Sequence, residues 1–150
     1  MFDAAEWEDY WRVGPVPAAM IYAAAEELGF PFPADFVELM SVHQGRIPPH
    51  GFVPVFEGPK TMFGPLMHFV KSRPGELAAR RAILLRHGYP VRLVPFADAA
   101  GQCHWALDYR ASAATPKISF VIPELGYDDE GAIVPVASSI SELLTMLEDE

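Results

Sequence analysis

The side chains able to do acid, base or nucleophilic work are few and scattered. Five histidines, His43, His50, His68, His87 and His104, never fall at the i, i+4 spacing that turns two ligands to one zinc ion, so no metal is expected. The single cysteine, Cys103, adjoins His104, but neighbours on a strand point to opposite faces. That opposes a thiolate–imidazolium pair and favours an inert cysteine. Ser138, Ser139 and Ser141 lie near no nucleophile elbow, and helix capping accounts for at least one of them. Neither a Walker loop nor a GxGxxG turn is present to cradle a phosphate. Paired carboxylates are the remaining enzymatic reading: Asp98 and Asp108 flank one expected hairpin, where a small hydrolase would need them close. The structural reading outweighs it, with Asp98 initiating a turn and Asp108 exposed or bonded to nearby backbone. Trp105 and Phe120 sit between apolar neighbours and read as core rather than as a stacking platform. No catalytic residue and no cofactor is assigned.

The elements that would position these residues follow from periodicity and punctuation. Trp7, Tyr10 and Trp11 at helical spacing predict a short amphipathic helix over Asp3–Arg12, stopped by Gly14, Pro15 and Pro17. Ile21, Ala24, Ala25 and Leu28 predict a helix over residues 18–28 with Gly29 as its left-handed end. Pro33 opens the next helix, whose face is Phe36, Leu39, Met40 and His43 and whose end is Gly45. Phe52 to Phe56 reads as a strand, and Pro74 to His87, closed by Gly88, as a helix with Leu77, Leu84 and Leu85 inward. Four β-rich runs follow, Arg92–Phe96, His104–Arg110, Lys117–Ile122 and Ile133–Ala137. Asp98-Ala99-Ala100-Gly101 supplies a type I turn between the first two. Ser139 and Glu142 form a capping box before a last helix that buries Ile140, Leu143, Leu144 and Leu147. Helices, then an antiparallel meander, then a closing helix imply an α+β fold: a sheet of four to six strands with the helices packed on one side.

The 150 residues, 51% hydrophobic and 21% charged, suit one globular domain spanning 1–150. Val13–Ala25, the longest uncharged stretch with helical promise, carries two prolines and is too short to span a bilayer, so no membrane partner is expected. Acids near the start argue against a secretory signal, and a lone cysteine agrees with a reducing compartment; a cytoplasmic location is the expectation. A net charge of −9 repels phosphate polymers, which disfavours nucleic acid as a partner. The charge is uneven: −6 over residues 1–70, +5 over 71–92 and −8 over 93–150. The basic block reads either as a solvated helix face or as a self-association strip, through Arg73, Arg80, Arg81 and Arg86, that would form a homodimer. The acidic loop Asp128-Asp129-Glu130 is the expected partner-binding surface, its three like charges stabilising nothing local.

Three ordered segments resemble the SMI1/KNR4 family of the SUKH superfamily. The first is Ile21–Phe30 followed by Phe32–Leu39 and His43-Gln44-Gly45; the second is Val91–Asp98, Gly101 and Leu107-Asp108-Tyr109; the third is Val136–Leu144. Together they cover about residues 18–148. Gln44 stands where the family usually has asparagine, Ala99-Ala100 replaces a more glycine-rich turn, and the basic helix looks like an insertion. The resemblance implies a non-enzymatic protein-binding domain, used in bacteria mostly as an immunity protein against a polymorphic toxin. An acidic chain suits a basic toxin domain, a nuclease among the candidates. The alternatives are an intracellular regulatory scaffold of the same fold or the small hydrolase above.

Overall fold

A computed structural model describes residues 6–150. Its centre is an antiparallel meander in the order β5-β6-β7-β8, numbered in chain order and formed by Leu93–Asp98, His104–Asp108, Lys117–Val121 and Ile133–Ala137. Four short strands form two further pairs, β1 (Glu8–Asp9) with β2 (Arg46–Ile47) and β3 (Phe52–Val53) with β4 (Thr61–Met62). The helices are α1 (Ala18–Leu28), α2 (Ala34–His43), α3 (Leu77–Leu85) and α4 (Ile140–Thr145). The α+β class is as expected, and the main sheet has four strands.

Local chemistry explains most boundaries. Gly29, at φ 84°, ends α1 in the left-handed region and donates its N–H to the Ala25 carbonyl. Ser139 Oγ accepts the Glu142 N–H at 3.1 Å and starts α4 where the capping box places it. Glu142 reaches one residue further back than a capping box requires, accepting the Ser138 N–H at 3.0 Å.

Alternating strand residues divide the core in two. Trp105, Leu107, Ile118 and Phe120 share one face of the sheet with Ile21 and Ala25 of α1, Phe36, Leu39 and Met40 of α2, and Ile140 and Leu143 of α4. Leu93, Ala106, Val121 and Ile133 form a second, smaller cluster with Tyr89 and, at the C-terminal end of α3, Leu84 and Leu85. Packing of all helices on one side therefore holds for α1, α2 and α4 only; α3 places Leu77 in the main core and its far end against the second cluster.

Three other expectations change. The N-terminal helix is absent over residues 8–12, while Asp3, Ala4 and Ala5 lie outside the described residues. Tertiary pairing overrides its periodicity: β1 binds β2, both Tyr10 and Trp11 donate N–H to the Gly45 carbonyl, and Arg12 turns to φ 56° with its N–H on Asp9 Oδ1. The strand at Phe52 stops after Val53 because the Val55 N–H closes a tight turn onto the Val53 carbonyl at 3.0 Å. The β5–β6 turn sits further on than a turn over 98–101: Asp98 pairs with His104 inside the ladder, and residues 99–103 form the loop, closed by an Ala99 N–H to Cys103 carbonyl bond.

Candidate functional site

α3 is fixed from both ends of its first turns. Glu76 caps it by accepting the Ala79 N–H at 3.1 Å, and Leu77 is fully buried. Arg81 then turns inward: its guanidinium donates to the Val91 carbonyl at 2.6 Å and the Leu93 carbonyl at 3.1 Å, and lies 5.6 Å from the centre of the Phe30 ring. Burial lowers its pKa, with Tyr89 acting the other way. Arg80, one position away on the helix, points instead to the end of β5 and grips Asp98 with both nitrogens, at 2.9 and 3.3 Å. Asp98 is itself held by backbone bonds to Pro65 and Gly64.

This arrangement opens a cleft of about 920 Å³ between α3, the β5–β6 loop and the segment after β7, with Trp11, Arg80, Ile83, Asp98, Cys103 and Tyr127 among its walls. Trp11 is seated there by Gly75, where an added Cβ would come within 2.5 Å of the indole. Behind the cleft, Tyr89 Oη lies 2.8 Å from His104 Nε2, both side chains being buried, and Tyr127 packs edge-on against Tyr89 at 5.4 Å. Burial holds the His104 imidazole near a pKa of about 4, partly opposed by a bond to the Gln102 backbone, so the ring is neutral at physiological pH. Burial, aided by the Glu124 charge, pushes the Cys103 thiol up, away from the reactive thiolate.

Directly after Tyr127 comes the acidic loop, with Asp128, Asp129 and Glu130 all exposed. Contrary to the expectation that these charges stabilise nothing local, Asp129 Oδ1 accepts the Gly131 N–H at 2.7 Å, while the Asp129 N–H binds the Gly126 carbonyl. The loop is a shaped turn.

The basic residues do not form one strip. Arg81 is inside and Arg80 is paired with Asp98; Arg73 is exposed, donating to the Trp11 carbonyl at 3.3 Å, and Arg86 is exposed at the end of α3. The two candidate carboxylates are not brought together either. Asp98 pairs with His104 at the loop end of the hairpin, whereas Asp108 pairs with Leu93 at the other end. Asp108 accepts from Arg110 Nε at 2.9 Å, Arg110 Nη2 at 2.8 Å and Ser119 Oγ at 2.8 Å. Burial alone would raise its pKa, but these bonds, with one from the Arg110 backbone, hold it below the ordinary carboxylate value. Among the described residues no group of three His, Cys, Asp or Glu side chains could hold a metal ion.

Sequence reasoning missed the cleft. Its walls come from five separate stretches, and the one signal that could have pointed to it is the Arg80/Asp98 pair, which only the packing of α3 beside β5 reveals.

The SMI1 / KNR4 family (SUKH-1) model matches residues 15–146. The chain belongs to this family. The matched region of this SUKH-1 domain runs from the residues before α1 through α4, and so takes in α3, the hairpin loop and the acidic loop. No curated protein and no solved structure matches the chain. Among the described residues no helix is long and apolar enough to cross a membrane.

Proposed function

We propose that this SUKH-1 domain is a non-enzymatic immunity protein that neutralises a basic toxin domain by binding it. The observation that carries the proposal is the acidic loop: three exposed carboxylates on a turn that the chain itself braces, within a family whose fold is known from immunity proteins. Carboxylates held on a rigid scaffold steer a basic partner into place and accelerate association. The absence of enzymatic activity is supported by how the reactive side chains are used. His104 is bound to Tyr89, Asp108 to Arg110 and Ser119, and the Cys103 thiol is driven towards its protonated form. Self-association is the lesser proposal and falls mainly to Arg73 and Arg86, the two of the four arginines whose side chains are exposed; sedimentation at low and high salt tests it.

The test of the main proposal is association kinetics with the toxin domains encoded next to this gene, comparing the native chain with Asp128→Asn, Asp129→Asn and Glu130→Gln combined. An amide oxygen at position 129 can still accept the Gly131 N–H, so the turn survives and charge alone is removed. A slower association at low ionic strength, with little change at high salt, is expected. An unchanged rate at low salt places the interface elsewhere.

A further inference from the structure

The cleft beside the acidic loop has the makings of a docking groove. Ile83 on its α3 wall is 51% exposed, as is Tyr10 at 52%, and neither is needed by the core. Trp11 and Tyr127 present half-buried rings to the same space, so the walls are aromatic and aliphatic. A carboxylate stands among them: Asp98, its side chain 19% exposed, has its backbone held by bonds to Gly64 and Pro65 and its carboxylate paired with Arg80, whose own side chain is 34% exposed.

Charge decides the occupant. Arg80, His87 and His104 are the basic side chains on the walls; Arg80 is neutralised by Asp98, and burial keeps the His104 ring neutral. The segment that supplies Pro123 and Tyr127 to the cleft also carries Glu124 and continues directly into exposed Asp128, Asp129 and Glu130, so the chain beside that wall is acidic. The field over the mouth therefore favours a cation, and the walls favour one that is planar and weakly hydrated. A guanidinium meets both demands, since it stacks on aromatic faces and matches a carboxylate with two parallel hydrogen bonds, whereas an ammonium remains a strongly hydrated point charge.

We infer that the cleft is the anchoring part of the partner interface, and that it takes an arginine from an exposed segment of a basic protein, which stacks on the aromatic walls and reaches Asp98 beside Arg80 while the acidic loop holds the flanking charges. The inference rests on the reading of the chain as a binder of a basic protein and deepens it. Rim carboxylates set how fast the partner arrives, and the anchored arginine sets how long it stays.

The test uses the full chain, labelled with nitrogen-15, and a capped nonapeptide with three arginines spaced by glycine and leucine, beside versions with lysine or glutamate in place of arginine. Amide shifts grouped at residues 80–87, 98–104 and 123–130, with the arginine peptide binding several-fold more tightly than the lysine one, are expected. Asp98→Asn and Ile83→Lys should each weaken the arginine peptide about tenfold. Ile83 is exposed, so a lysine there tests the cleft without disturbing the fold. Shifts spread evenly over every acidic surface, equal affinity for arginine and lysine, or indifference to both variants would overturn the inference. Against a neighbouring toxin the two proposals separate. A toxin that binds both variants as tightly as the native chain removes the cleft and leaves the immunity reading standing; if no toxin binds, the immunity reading falls and the peptide titration still decides the cleft.

Discussion

The two faces of the main sheet are built on different principles. On one, Trp105, Leu107, Ile118 and Phe120 meet three helices in a dry core, and Trp105 is wholly buried with its indole N–H on the Met62 carbonyl at 2.9 Å. On the other, the same strands present His104, Asp108 and Ser119, each buried and each hydrogen-bonded to a side chain. The first face is stabilised by apolar area removed from water; the second adds to its smaller apolar cluster polar groups that must stay matched. The cleft lies at the edge of the second face, behind which Tyr89 joins His104 and braces Tyr127. A binding surface is thus supported by the face whose integrity depends on protonation and pairing.

If the contrast is right, the largest loss comes from the dry face. Trp105→Ala removes the largest fully buried side chain and should cost about 3–5 kcal/mol, read as a lower denaturant midpoint at unchanged slope. A loss under about 1 kcal/mol would mean that the helices collapse onto the sheet without it. The next effect belongs to the polar face and depends on pH. The His104 imidazole has its pKa lowered from 6.5 to about 4, so as pH falls the unfolded chain binds the proton first. Stability from this group is complete above about pH 6.5 and declines between there and about pH 4, by an amount on the order of 3 kcal/mol. Denaturation midpoints at pH 7 and 4.5 measure it, and His104→Gln should flatten that part of the profile. An equally steep loss in the variant would assign the acid sensitivity to other groups. Tyr89→Phe comes third: it leaves His104 Nε2 without its partner in a buried place and should cost about 1–3 kcal/mol while the rings still pack.

What was legible in the sequence follows the same division. α1, α4 and the strand Ile133–Ala137 fall where periodicity and capping put them, because Gly29, Ser139 and the alternating apolar residues act on their immediate neighbours. Family membership was legible too, since the ordered segments that resemble SMI1/KNR4 lie within the matched range 15–146. Apart from the local turns at Val53–Val55, at residues 99–103 and in the acidic loop, the failures are long-range. Residues 8–12 have helical spacing, but their backbone is claimed by Gly45 and by β2, more than thirty positions away. Arg81 reads as one more cation on a basic face, yet it is drawn inward by two carbonyls that only the return of the chain at Val91 and Leu93 provides. Asp98 and Asp108 look like a pair until the register sets them at opposite ends of a hairpin.

The smallest expected effect probes the other end of the polar face, far from the cleft. Asp108 there accepts hydrogen bonds from the Arg110 side chain and backbone N–H as well as from Ser119 Oγ. Ser119→Ala removes one of these donors and leaves no donor stranded, since the hydroxyl goes with its hydrogen bond; the carboxylate keeps Arg110. The cost should be about 1 kcal/mol, below that of Tyr89→Phe, where the lone acceptor His104 Nε2 is left behind. The difference lies in what remains, not in the number of bonds removed. Because the Ser119 bond helps to hold the Asp108 pKa down, its loss should also let that carboxyl protonate at a slightly higher pH, bringing acid unfolding forward. Urea midpoints at neutral and acid pH for the two variants decide the matter. Should Ser119→Ala prove the costlier, the two ends of the face would have changed places, with Asp108 rather than His104 as the group on which the polar side of the sheet depends.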